Sequence, residues 1–337
     1  MSSAPQSRRW IAAAILLVGL AVIGPSARAE TPTLEPAASM RPAPAAHESS
    51  DFDWFDDSRG REVPARLYWP LLADAEQPVP LVVFSHGIGG SRRGYSYLGR
   101  YFADHGIASL HVQHVGSDRT LWRGNPFGLV GRLWDAASEA EALARARDLS
   151  FALDQLLDQA LQGRQIDRDR IAAAGHSYGA NTAMLVTGAN VSRPGQALSL
   201  RDTRFRAALL LSAPPFYGEA DVQRILGALT LPTLHVTATD DVIRIPGYYS
   251  PSADRVAVFE AAGSARKALA VFDGGSHSVF TDRVGTGGVQ LNPRIKAATQ
   301  SLAVAFLRSV FDGQDEALQS WPLRHRELIA QWVRHGP

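Results

Sequence analysis

The sequence Gly-His-Ser-Tyr-Gly at positions 175–179 constrains the fold of this chain most, because it has the form G-x-S-x-G between a predicted strand and a predicted helix. The apolar run at 170–174 indicates a short buried strand, and the Ala-rich run at 180–188 indicates a helix. Flanking glycines allow a sharp turn, so the hydroxyl of Ser177 is held above the edge of a sheet. The pattern predicts a catalytic nucleophile at Ser177. The alternative is a glycine-rich turn whose serine only caps the helix.

A glycine loop lies upstream of this motif. The β-branched run at 79–84 predicts a buried strand, which opens into Ser-His-Gly-Ile-Gly-Gly at 85–90. The oxyanion that forms when a serine attacks a carbonyl group needs two converging backbone N–H groups. One comes from the residue after the nucleophile and the other from a loop after an earlier strand. These donors are predicted at Tyr178 and Ile88, whereas His86 is predicted to be structural. The alternative is an ordinary glycine turn.

A third predicted strand, at 231–238, is followed by two aspartates. A carboxylate at the carboxyl end of a strand can accept a hydrogen bond from Nδ1 of a histidine and orient its imidazole. Asp241 is favoured because the acid in such folds usually comes three residues after a small residue, here Ala238, and a few residues before a proline, here Pro246. Asp240 is the alternative acid and is expected to be a loop cap.

The predicted base is His277, which follows another apolar strand at 268–272 and a pair of glycines. A histidine in this position can take the proton of the Ser177 hydroxyl. The chain order Ser177, Asp241, His277 is the order of α/β-hydrolases, and it differs from the orders of chymotrypsin-like and subtilisin-like enzymes.

Strands and helices alternate along the rest of the chain. Further strands are predicted at 62–70, 107–113 and 205–211, and helices at 97–105, 139–161, 292–311 and 316–333. Such alternation predicts an α/β fold with a mostly parallel central sheet and helices on both faces, here an α/β-hydrolase fold. Prolines interrupt the strand at 62–70, which predicts an edge strand.

Aromatic residues mark the predicted substrate site. The segment at 116–135 fits no regular element, and it holds Trp122, Phe127 and Trp134 among glycines and arginines. Tyr248 follows the predicted acid. These four residues are predicted to bind substrate, and the alternative is that they only anchor surface loops on the core.

The N-terminal residues predict export. Two arginines precede an apolar run at 10–24, and Ala-Arg-Ala follows at 27–29. This pattern predicts a signal peptide over residues 1–29, with an uncleaved membrane anchor as the alternative and the export route left open. Residues 30–50 are rich in Pro and Ala and predict a disordered spacer. Residues 51–337 are predicted to form a single catalytic domain in the periplasm or outside the cell.

Composition excludes several classes of site. The chain has no cysteine, which excludes disulfides, thiolate metal sites and a cysteine nucleophile. The net charge is +1, without long runs of like charge, which argues against a nucleic-acid partner. His111 and His114 are predicted on opposite faces of a strand, so they do not indicate a metal pair. No metal is expected, and the absence of a nucleotide-binding motif argues against such a cofactor.

With these residues assembled, the sequence resembles the α/β-hydrolase superfamily, in its dienelactone hydrolase-like and platelet-activating factor acetylhydrolase-like branch, near bacterial polyester hydrolases. The likeness covers about residues 51–307. It depends on the segment at 81–90, on His-Val-Gly-Ser-Asp at 114–118 and on the motif at 175–179.

The resemblance implies hydrolysis of an ester through an acyl-enzyme, with oxyanion donors at Ile88 and Tyr178. Two departures limit it. Dienelactone hydrolases use a cysteine nucleophile, and acetylhydrolases place the acid after the strand that here ends at Leu211 without one. The expected substrate is therefore a small-molecule, lipid or polyester ester. The mature protein is expected to have no stable membrane span. A peptidase or amidase, and a catalytically silent binding protein, are the alternatives.

Overall fold

Within the part of the chain that the structure describes, nine strands form one sheet. The structure is a computed structural model that describes residues 47–71, 77–159, 164–191, 198–219, 221–245, 247–283 and 290–336. The predicted signal peptide at 1–29, the predicted spacer up to residue 46, and Pro246 lie outside the described residues.

The elements alternate in type over most of the chain. The strands are β1 (His47–Asp56), β2 (Arg61–Pro70), β3 (Val79–Ser85), β4 (Ala108–Val112), β5 (Ile166–His176), β6 (Ala207–Leu211), β7 (Thr233–Ala238), β8 (Ile243–Ile245), β9 (Tyr248–Ser250), β10 (Lys267–Phe272) and β11 (Ile329–His335). The helices are α1 (Ser96–Asp104), α2 (Leu129–Ala136), α3 (Glu139–Asp158), α4 (Tyr178–Thr187), α5 (Val222–Leu226), α6 (Ala253–Ala261), α7 (Leu291–Asp312) and α8 (Glu316–Arg324). Short 3-10 helices cover Arg119–Trp122, Pro126–Gly128 and His277–Phe280.

The sheet is mostly parallel. Its strand order is β1-β2-β4-β3-β5-β6-β7-β10-β11. The six strands from β4 to β10 in this order pair in parallel, whereas β1, β2 and β11 are joined by antiparallel pairing. The predicted α/β-hydrolase fold is confirmed. Because parallel strands end at the same edge, residues that follow β3, β5, β7 and β10 meet there.

Strand β3 shows why helices cover both faces. All seven of its residues are buried. Leu81 and Val83 pack with residues of α3 and α4, whereas Val82 and Phe84 pack with residues of α1, α7 and α8. Successive side chains of a strand point to opposite faces, so each face of the sheet has its own apolar core.

The N-terminal edge of the sheet differs from the expected one. Strand β2 pairs with β1 on one side and β4 on the other, so the segment at 62–70 is not an edge strand. Strand β1 begins at His47, and residues 47–50, which were expected in the spacer, lie within it. Asp51 and Arg66 link the two strands, with Nε to Oδ1 at 2.6 Å. This hydrogen bond lowers the pKa of the Asp51 carboxyl to about 2.

Two expectations for regular structure were wrong. Residues 116–135, expected to be irregular, contain two 3-10 helices and most of α2. The closing helix expected at 316–333 ends at Arg324, and the chain then forms β11, which pairs with β10. The free edge of β10 supplies backbone partners that a helix over these residues would leave unpaired. Trp332 of β11 also packs on Trp321 of α8, with ring centroids 5.4 Å apart.

No helix of the described segments has the length and hydropathy that crossing a bilayer requires.

Five buried histidines are held neutral in the folded protein. They are His86, His111, His114, His176 and His235. Burial lowers the pKa of His111 to about 4 and that of His176 and His235 to about 3. It lowers the pKa of His86 and His114 well below the usual value of 6.5 as well. Charging any of these imidazoles would leave a cation without water around it.

These histidines make stability depend on pH. The unfolded chain binds protons as the pH falls below about 6.5, and the folded protein does not until near pH 4, so unfolding takes up protons in this window. We expect the free energy of unfolding, measured in urea, to fall between pH 7 and pH 5.5 by roughly 1 kcal/mol per buried histidine. A flat profile across this window would contradict the assignment.

Candidate active site

Three side chains that are remote in sequence meet at the carboxyl edge of the sheet. Ser177 follows β5, Asp241 follows β7, and His277 begins the 3-10 helix after β10. Nε2 of His277 lies 2.8 Å from Oγ of Ser177. Nδ1 of the same imidazole lies 2.7 Å from Oδ1 of Asp241. The three predicted catalytic side chains therefore form one hydrogen-bonded chain.

Ser177 is held in a strained turn. Its backbone has φ 56° and ψ −122°, a conformation that is unfavourable for a residue with a side chain. A Cβ at position 175 would collide with the backbone of Gly179, and one at position 179 would collide with the carbonyl of Ser85. Only glycine fits at both positions, which explains the G-x-S-x-G pattern.

Asp241 is fully buried, and hydrogen bonds fix both of its oxygens. Oγ1 of Thr237 donates to Oδ2 at 2.7 Å. Burial opposes ionisation of this carboxyl, but the hydrogen bond to His277, together with the charges of His277 and Arg255, outweighs burial and lowers the pKa of Asp241. Nη2 of Arg255 lies 3.6 Å from Oδ1. Asp240, the alternative acid, is exposed.

Ser212, which sequence reasoning did not select, also contacts the imidazole. Its Oγ lies 2.7 Å from Nδ1 of His277. Its backbone has a φ of 50°, the left-handed conformation that residues with side chains seldom adopt. The sequence feature that could have indicated Ser212 is its position directly after β6. This strand lies between β5, which precedes Ser177, and β7, which precedes Asp241.

The two predicted oxyanion donors come from two different segments of the chain. Ile88 lies in the loop after β3, and Tyr178 is the first residue of α4. Both residues line the same cavity as Ser177. The elements therefore bring a helix N-terminus and a second loop to the hydroxyl, as stabilisation of an oxyanion requires.

The cavity has a volume of about 440 Å³, and its wall is mostly apolar. Trp134 and Tyr248, two of the predicted binding residues, line it. Tyr217, which sequence reasoning missed, lies between them, with ring centroids 5.9 Å from Trp134 and 5.6 Å from Tyr248. The three rings form one side of the cavity.

Trp122 and Phe127 are not part of this wall, and their role in substrate binding stays a prediction. Nε1 of Trp122 donates to the carbonyl of Gly89 at 2.9 Å, which holds the indole against the loop after β3. Phe127 lies on a short 3-10 helix and is 94% exposed.

The two histidines at the end of β4 have protein partners. Nδ1 of His114 donates to Oδ2 of Asp148 at 3.0 Å, and Nδ1 of His111 lies 3.1 Å from the carbonyl of Gly94. Across the described ranges, no group of three or more His, Asp or Glu side chains could hold a metal ion.

The sequence and the fold are both similar to those of known proteins. Residues 61–120 match the family described as platelet-activating factor acetylhydrolase, isoform II. A ferulic acid esterase from Streptomyces cinnamoneus has the same fold, with a TM-score of 0.62 at 21% identity over 87% of this chain and 98% of that chain. The chain therefore has the α/β-hydrolase fold and is similar to this family over residues 61–120.

Two curated relatives carry the name of the same family. The chain is 26% identical over 226 residues to platelet-activating factor acetylhydrolase from Cavia porcellus, over 58% of this chain and 48% of that protein. It is 32% identical over 183 residues to the protein of the same name from Bos taurus, over 43% of this chain and 37% of that protein. The resemblance to the acetylhydrolase-like branch is confirmed, and the match spans less than half the length of these relatives.

Proposed function

We propose that this α/β-hydrolase is a serine esterase that cleaves carboxylic esters through an acyl-enzyme. The observation that carries the proposal is the position of the His277 imidazole, which lies 2.8 Å from the Ser177 hydroxyl and 2.7 Å from the Asp241 carboxylate. The names of the relatives, an acetylhydrolase and an esterase, support ester hydrolysis.

In this mechanism, Ser177 attacks the carbonyl carbon while Nε2 of His277 takes its proton. The negative oxygen of the tetrahedral intermediate accepts hydrogen bonds from the backbone N–H groups of Ile88 and Tyr178. His277 then returns the proton to the leaving alcohol, and a water molecule activated by His277 hydrolyses the acyl-enzyme. Asp241 keeps the hydrogen on Nδ1, so that Nε2 can act as the base.

The cavity indicates the class of substrate. Its wall of apolar side chains and three aromatic rings suits an apolar acyl or alcohol group of a small-molecule, lipid or polyester ester. The same triad cleaves amides, but the esterase proposal is favoured by the names of the relatives. Export to the periplasm or the medium, with removal of residues 1–29, remains part of this proposal.

The role of Ser177 is tested by Ser177→Ala. The variant should lose kcat for nitrophenyl esters by on the order of 10⁶, because the covalent step is removed, while its folding stays unchanged. Ser320→Ala, on the surface of α8, is a control that should keep the wild-type rate. Near-normal turnover by Ser177→Ala would refute the proposal. A wild-type protein that hydrolyses no ester would instead support a catalytically silent binding protein.

The two aspartates after β7 are separated by a second pair of variants. Asp241→Asn should lower kcat by up to about 10⁴, since the amide no longer fixes the imidazole in the tautomer that accepts the serine proton. Asp240→Asn should change kcat less than about twofold, because this side chain is exposed. Initial rates with a nitrophenyl ester at saturating concentration measure both. The reverse ranking would assign the acid to Asp240.

A further inference from the structure

Arg145, in the second turn of α3, is a fully buried arginine close to the candidate site. Among the residues that the structure describes, no carboxylate lies within salt-bridge distance of its guanidinium. A buried cation without a direct counter-ion is costly, because water no longer solvates it. Such a group needs a compensating set of partners, and the identity of those partners indicates its role.

The partners of Arg145 belong to two segments of the site. In the first segment, Nη2 donates to the carbonyl of His86 and to Oγ of Ser85 at 3.1 Å, where β3 ends and the loop that carries Ile88 begins. In the second, Nε donates to Oγ1 of Thr182 in α4 at 3.0 Å. The guanidinium also lies 4.3 Å from the ring centre of Tyr178. One rigid planar group therefore joins the segments that carry the two proposed oxyanion donors.

Two hydroxyl groups connect the charge of Arg145 to carboxylates. Nη1 donates to Oγ of Ser117 at 2.7 Å, and that hydroxyl donates to Oε1 of Glu141 at 2.8 Å. The hydroxyl of Ser85 lies 2.9 Å from Nε2 of His114, whose Nδ1 donates to Asp148 at 3.0 Å. These relays spread the charge over a hydrogen-bonded network and restrict the rotation of each member.

His86 transmits this restriction to the donor at Ile88. Nε2 of His86 accepts from the backbone N–H of His114 at 3.1 Å, so the hydrogen is on Nδ1, which donates to the carbonyl of Gly87 at 2.7 Å. The carbonyl and the N–H of a trans peptide point in opposite directions. Fixing the carbonyl of Gly87 therefore fixes the direction of the N–H of Ile88.

We propose that Arg145 is a positioning residue that sets the separation and direction of the oxyanion donors at Ile88 and Tyr178. It acts through His86 on the first donor and through Thr182 and the ring of Tyr178 on the second. The inference depends on the proposed esterase function, and it adds a residue that touches neither the substrate nor the reacting atoms.

Positioning of an oxyanion hole has a kinetic signature. Donors that are misplaced stabilise the transition state less and leave substrate binding nearly unchanged, so kcat falls and KM does not. We expect Arg145→Met to lower kcat about 10²-fold or more, comparable to the loss of one oxyanion donor, with KM changed less than about threefold. Affinity for an alkyl boronic acid, which forms a tetrahedral adduct on the serine, should fall in parallel with kcat/KM.

Arg145→Lys keeps the buried positive charge, so it tests the inference if Arg145→Met does not fold. An ammonium group lacks the planar fork and cannot reach both segments in the same way, so kcat should still fall at least about tenfold. Rates are divided by the concentration of sites that react with a fluorophosphonate, which removes the effect of unfolded protein from the comparison.

Lys267 in β10 offers a matched control. Its Nζ donates to three backbone carbonyls at the end of α6, at the opposite end of β10 from His277. Lys267→Met should lower the Tm and leave kcat per labelled site unchanged. If either arginine variant keeps the wild-type kcat and boronate affinity per site, Arg145 only stabilises the fold, and the inference is overturned. If the wild-type protein neither hydrolyses esters nor reacts with the fluorophosphonate, the proposed function itself fails.

Discussion

The close approach of the turn at Ser177 to the loop after β3 is the constraint on which the rest of the site depends. The backbone of Gly179 lies against the carbonyl of Ser85, at a distance that admits no Cβ. This contact places the nucleophile, the first turn of α4 and the loop of Ile88 within one small volume. A larger side chain at position 179 would push the loop away and separate the proposed donors from the hydroxyl they serve.

Two buried arginines near the site, Arg145 and Arg255, have different partners. Arg255 lies 3.6 Å from Asp241, where its charge favours the ionised carboxylate that orients His277. Arg145 reaches its carboxylates only through Ser117, Ser85 and His114 and donates directly to the loop and to α4. One guanidinium thus maintains the charge of the acid, and the other maintains the spacing of backbone groups. Burial strengthens both effects, since no water competes for these donors.

The sequence was enough to predict the elements that carry Ser177, Asp241 and His277, because each residue directly follows an apolar run and a glycine or strand end. The order of these runs also predicted the fold. Contacts between segments that are distant in sequence were not predictable in the same way. Ser212, Tyr217 and Arg145 belong to no local pattern, and their roles arise only when the strands are placed side by side.

Strand β11 shows the same limit for secondary structure. Its residues were expected to continue a helix, but they pair with the edge of β10 instead. This pairing gives hydrogen-bond partners to the backbone N–H and C=O groups of β10, which the local sequence of residues 329–335 could not reveal. Local sequence also failed to separate the roles of the aromatic residues in the segment at 116–135. Its residues were treated alike, yet Trp134 of α2 lines the cavity, whereas Trp122 at the end of a 3-10 helix donates to the carbonyl of Gly89 in the loop after β3.

The central claim is that His277 activates the hydroxyl of Ser177 as the nucleophile. The most direct measurement is the mass of proteolytic peptides after reaction of the wild-type protein with a fluorophosphonate. We expect one phosphonyl group, located on the peptide that contains Ser177. When His277 is replaced by glutamine, both this modification and ester hydrolysis should be lost. Modification of a different serine, or hydrolysis that continues with Ser177 unmodified, would contradict it.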